Sequence, residues 1–109
     1  MQVILLPEVL KYLENLSIIL YEKEYFSFEE TALKYVMELY EDIITNLSVH
    51  HSKLATKYFG KYGKDMEYAV FKKNKQTSWY VFFRVYRENG NEVYQVRYIT
   101  NNHVIAQYL

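Results

Sequence analysis

The chain has no cysteine, a single proline and three glycines in 109 residues, and its formal net charge is zero. Without cysteine there is neither a disulfide framework nor a thiolate zinc site, which suits a reducing compartment. So little proline and glycine leaves no flexible linker, and no low-complexity stretch or internal repeat is present. Long hydrophobic runs are absent too. The apolar run in MQVILLPEVLKYLENL is too short to cross a bilayer and lacks the basic leader of a signal peptide. A soluble cytoplasmic protein with no membrane attachment is therefore expected. The chain also lacks a Gly-rich phosphate loop, a Ser/His/Asp order and a paired-carboxylate signature, which argues against ordinary metabolic catalysis. A neutral total argues weakly against a dedicated nucleic-acid binder.

What is present is apolar and aromatic. Half the residues are hydrophobic and 18% are aromatic, enough to build a real core in one domain spanning residues 1–109. The neutral total hides a strong segregation of charge. Residues 1–48 carry nine acids against three bases. Residues 49–75 carry seven lysines against Asp65 and Glu67. Such a dipole can steer a polyanion or an acidic protein to one side, although a lysine-rich loop that is simply solvated accounts for the same numbers.

Gln2 to Leu6 reads as a strand stopped by Pro7, and a helix follows from about residue 8 to 23. Val9, Leu10, Leu13, Leu16 and Leu20 supply its apolar stripe. Ser27 followed by Glu30 has the spacing of a capping box, predicting a second helix to about residue 47 with Ala32, Val36, Leu39 and Ile43 on one face. Residues 48–65 have no clear period and read as a loop tethered by Leu54, Tyr58 and Phe59. Three alternating runs then predict strands over 66–73, 78–88 and 92–100. Asn89-Gly90 between the last two is a strong hairpin signal. The expected fold is α+β: a short N-terminal strand, a two-helix hairpin, then a three-stranded antiparallel meander and a short C-terminal tail, in the order β-α-α-β-β-β, with the first strand completing the sheet from an edge.

Alternation divides the sheet into two faces. Trp79, Val81, Phe83 and Val85 form an apolar set suited to the helices, leaving Tyr80, Phe82, Arg84 and Tyr86 on the other side. On the last strand Tyr94, Val96 and Tyr98 are assigned to the helix side, because Gln95 and Arg97 resist burial. The open face then carries Arg84 and Arg97 among tyrosines, a set able to hold phosphate and stack bases. The same residues could equally decorate a solvated sheet by stacking on one another. His50-His51 lacks an acidic pair at ligand spacing, so no metal site is expected. His103, after the last strand, could act as a general acid or base, or serve as a local cap.

Taken together, the first strand and helix QVILLPEVLKYLENL, the meander YVFFRVYRENGNEVYQVRYI and the tail NNHVIAQYL resemble the RelE/ParE superfamily of bacterial toxins. The resemblance covers essentially the whole chain and is one of shape and pattern. It implies a small toxin encoded with a cognate antitoxin, needing no cofactor and no metal. In the RelE branch such proteins cleave mRNA on the ribosome; in the ParE branch they block DNA gyrase. Carried over by position, His103, Tyr108, Arg97 and Arg84 are the implied catalytic set. Tyr80, Lys72, Lys73, Lys61 and Lys64 are the implied RNA-binding set. The chain departs from the RelE pattern where Glu67-Tyr68-Ala69-Val70-Phe71 stands in place of lysines and Tyr80 near the position of a cleft arginine. A gyrase inhibitor and a non-catalytic protein-binding module therefore remain open beside the endoribonuclease. The resemblance leaves the oligomeric state open.

Overall fold

A computed structural model describes residues 2–105. It begins with strand β1 (Gln2–Leu5), followed by helices α1 (Pro7–Glu22) and α2 (Glu29–Asn46). Strand β2 (Ser52–Leu54) and a 3-10 segment (Lys57–Tyr62) precede β3 (Glu67–Lys72), β4 (Ser78–Glu88) and β5 (Asn91–Asn101). A short helix α3 (Asn102–Ile105) ends the described chain. Among the described residues no helix is long and apolar enough to cross a membrane.

The sheet has five strands in the order β1-β5-β4-β3-β2. Two strands extend the expected three-stranded meander. β1 completes the sheet from one edge, as expected, and runs parallel to β5, pairing Gln2 with Val93 and Leu5 with Val96. β2 adds an antiparallel edge, pairing Ser52 with Ala69 and Leu54 with Glu67. β2 escaped notice because three residues are too few to display a period. The three long strands stand where alternation put them, and Asn89 and Gly90 both take positive φ (51° and 81°), as a primed hairpin turn requires.

The helices form one layer over the sheet. Pro7 occupies the first turn of α1 after an extended Leu6, as its fixed φ favours. Val9, Leu13 and Leu16 from α1 join Val36, Leu39, Ile43 and Leu47 over Ala69, Phe71, Trp79, Val81, Phe83, Val96 and Ile99. Each such large apolar side chain contributes about 1.5–3 kcal/mol when fully buried. The Trp79 indole nitrogen donates to the Tyr35 hydroxyl at 2.8 Å, so its one polar atom is satisfied in the core. The capping box is not realised. The N-cap of α2 is Phe28, and no side chain caps the helix.

A bulge changes the predicted faces. Phe82 pairs with Tyr98 but Phe83 pairs with Val96, leaving Arg97 as an extra residue on β5. Alternation is reset at that point. Tyr94 and Val96 keep to the helix side, whereas Ile99 joins the helix core and Tyr98 moves to the opposite face.

The opposite face is not bare either. The connection between β2 and β3 folds back across it, with the Ala55 amide donating to the Met66 carbonyl at 2.9 Å to extend the ladder. Phe59 and Met66 from this strap bury against Phe82, flanked by Tyr62, Tyr68, Tyr80 and Tyr98. Phe59 is thus the true tether of the segment. Tyr58 packs edge-on against it at 4.9 Å, but Leu54 is 78% exposed and tethers nothing.

Candidate functional site

The second sheet face concentrates the cationic and aromatic side chains, on the side of the sheet away from the helices. Its centre is the bulge. The Arg97 Nε donates to Gln95 Oε1 at 2.8 Å, and its Nη1 donates to the Tyr62 carbonyl at 3.2 Å. The strap reaches this close because residue 63 is glycine: a Cβ there would lie 2.7 Å from Arg97 Nη1, and φ is +150°. Above the bulge the Tyr62 and Tyr98 rings stack at 4.1 Å and 8°. Lys61 places its ammonium 4.5 Å from the Tyr58 ring centre and 5.3 Å from that of Tyr62. Burial raises the Tyr98 phenol above its ordinary value, opposed by a hydrogen bond with Thr100 and reinforced by Tyr62 and Tyr58.

The strap divides this face in two. Towards the β4–β5 turn, exposed Arg84 lies opposite Gln95, the same glutamine that accepts from Arg97. Towards the other end lie Tyr68 and Tyr80, with ring centres 5.8 Å apart, and Lys72 at the end of β3. Lys72 pairs with Ser78, whose amide donates to Asn102 Oδ1 at 2.9 Å. Asn102 Nδ2 also donates to the Gln76 carbonyl at 3.1 Å, tying the β3–β4 turn to the end of β5. His103 is exposed in α3 beside that tie. Its amide donates to Asn101 Oδ1, and its Nε2 lies 3.5 Å from Thr77 Oγ1.

No family model, curated protein or solved structure matches this chain.

Geometry therefore decides which implied residues can work together. Arg84 and Arg97 share one half of the second face. His103 stands at the far end of the sheet, beyond the Trp79–Asn101 pair. Position 79 lies five residue steps along β4 from position 84, about 17 Å of strand. The two arginines and the histidine are therefore not gathered round one point, and Tyr108 lies outside the described residues. Lys72 and Lys73 part company as well. Lys72 extends on the second face, whereas the Lys73 ammonium sits 5.1 Å over the Tyr35 ring on the helix side. Lys61 lies on the strap, and Lys64 is exposed next to Gly63. Tyr80 is half-buried at the edge of the aromatic cluster.

Residue patterns alone missed Gln95, Tyr62 and Gly63 as partners of Arg97. The signal available was the run Tyr62-Gly63-Lys64, where glycine permits the close approach, but its target depends on the bulge. A second feature also went unread. A cavity of about 220 Å³ opens on the helix side near the end of α2, lined by Ser48, His50, Ser52, Glu67, Glu92 and Tyr94 among others. Ser52 Oγ donates to Glu67 Oε1 at 2.6 Å, and the His50 ring stacks on Phe71 at 4.0 Å. Burial raises the Tyr94 phenol, with Glu92 and Glu67 adding to the effect. Among the described residues no group of three or more His, Cys, Asp or Glu side chains could hold a metal ion.

Proposed function

We propose that this chain is the toxin of a toxin–antitoxin pair of the RelE/ParE type, inhibiting growth by metal-free cleavage of mRNA. The observation that carries this reading is the cationic and aromatic second face, set opposite an acidic helical layer. Tyrosine rings offer stacking surfaces to unpaired bases, and Arg84, Lys61 and Lys72 offer charge to phosphates. An RNA strand laid along β4 would pass from Arg84 to Tyr80 and end near His103. Cleavage needs no cofactor. The 2′-hydroxyl gives up its proton to water as its oxygen attacks the adjacent phosphorus, the bond from phosphorus to the 5′-oxygen breaks to leave a 2′,3′-cyclic phosphate, and a proton passes to that leaving 5′-oxygen. Lys72 would neutralise charge on the phosphate at that end, and exposed His103 would exchange the proton.

A gyrase-directed or purely protein-binding role is the second reading. It is favoured by one specific observation: Arg97 is already occupied in holding the strap, while Tyr68 and Val70 take the β3 positions on the second face.

Induced expression without antitoxin separates these readings. The leading proposal expects growth arrest with cut transcripts, mapped by primer extension, and loss of cutting in His103→Ala combined with Tyr108→Phe. Arrest with intact mRNA and altered DNA supercoiling supports the gyrase reading. Normal growth at verified soluble expression overturns the toxin assignment.

A further inference from the structure

We infer that the outer side of α2 is the docking face for a basic amphipathic helix supplied by a partner protein. The inference rests on the reading above only in taking a partner protein as the occupant. Leu33 and Met37 are 50% and 53% exposed, and Ile44 continues the same side of the helix. These positions recur at four- and seven-residue steps and make one stripe, apart from the buried stripe of Ala32, Val36, Leu39 and Ile43. Leu33 and Met37 are the apolar centre of a shallow, open stretch of α2 surface whose other residues are Glu30, Lys34, Glu38 and Glu41. The rim therefore holds three carboxylates and one ammonium. Lys34 is also 3.9 Å from Glu38, which offsets part of its charge.

Charge complementarity selects the occupant. A second copy packed two-fold through this stripe would bring acidic rims against each other, which costs rather than stabilises. A helix with apolar residues at matching spacing and Lys or Arg at its flanks would cover that apolar centre and neutralise the rim. From Leu33 to Ile44 the stripe runs about 16 Å, some three turns, so a partner helix of about 12–15 residues covers it. The face lies on the helical layer, away from Arg97 and the strap, so docking here leaves the second face open.

A fluorescein-labelled synthetic helix of about 18 residues, with a leucine stripe flanked by lysines, tests this when titrated into the full chain. A control peptide keeps the leucines and replaces lysine with glutamate. The basic peptide is expected to bind at least about tenfold more tightly than the acidic one. Met37→Lys should weaken the basic peptide about tenfold, and the exposed pair Glu38→Lys, Glu41→Lys should reverse the charge preference while circular dichroism stays unchanged. Equal or absent binding of the two peptides, or binding indifferent to Met37→Lys and to the charge reversal, overturns the inference. So does a dimer in sedimentation that Met37→Lys dissociates, because the face would then belong to a second copy. Growth arrest is read separately, on the unsubstituted chain: no preference for the basic peptide with arrest intact overturns this inference alone, and normal growth with that preference intact overturns only the toxin reading.

Discussion

Arg97 shows how much one position can depend on its neighbours. Its charge and strand position suggest a phosphate ligand, yet two of its donors are committed to Gln95 and the Tyr62 carbonyl. Its role is to hold the strap across the sheet. Gly63→Ala tests this, since the new methyl would meet the guanidinium at 2.7 Å and the backbone would be held at an unfavourable φ. A loss of about 1–3 kcal/mol is expected in urea denaturation, together with loss of the Tyr62–Tyr98 stacking seen in aromatic circular dichroism. Tyr98 and Tyr94 lead to a prediction in pH. Burial raises both phenols above the ordinary value of 10.0, so folding favours their neutral forms. The stability they contribute is full below the unfolded value and is lost as pH rises through the higher folded values. Tm should therefore fall above about pH 10, and the Tyr94→Phe, Tyr98→Phe double variant should show a shallower fall than the parent in thermal melts. An identical slope in the two proteins would place the alkaline transition elsewhere.

At the level of elements, hydrophobic spacing was a reliable guide wherever a segment was long enough to show its period. Both helices and the three long strands could be read from residues such as Leu13, Leu39 and Val81, because each buries one regular face. Ends and short pieces were less legible. The start of α2 looks capped by Ser27, but the chain enters the helix one residue later through Phe28, which is 65% exposed. Ser27→Ala should consequently change stability by less than about 0.5 kcal/mol. Phe28→Asp should raise it by about 0.5–2 kcal/mol, by giving the first turn an acceptor and its dipole a negative charge. Chemical denaturation of the two variants checks this directly; destabilisation by Ser27→Ala would restore the capping box. β2 and the bulge at Arg97 were illegible for a common reason. A strand of three residues has no period, and a bulge breaks the very alternation used to find it.

For the whole molecule the decisive property is the separation of charge between its two layers. The acidic helices cover one side of the sheet, and the lysine-bearing strap with Arg84 and Arg97 covers the other. Net charge is zero, so any affinity for RNA must come from that one side. Binding of single-stranded poly-U should therefore weaken with salt, with a log–log slope of about −2 if some three phosphates are neutralised. Lys61→Ala and Lys72→Ala should each reduce the magnitude of that slope by about 0.7. Filter binding across a salt series measures this, and a flat response would turn the proposal towards a protein target.

The sequence by itself determined the helical layer, the three long strands, the Asn89-Gly90 turn and the packing of Trp79, Val81 and Phe83 towards the helices. These follow from periodicity, which acts over a few residues and can be read locally. The charge separation was equally visible, since it needs only the order of residues. Tertiary structure alone decided that β1 runs parallel to β5, that the strap crosses the second face, and that Tyr98 faces Tyr62 instead of the helices. It also decided that Arg97 and His103 stand at different places on the sheet. These facts depend on one extra residue in β5 and on contacts between segments far apart in the chain, such as Gln2 with Val93 and Arg97 with Tyr62. No local pattern encodes such a meeting, because it is the sheet's register that brings the two segments together.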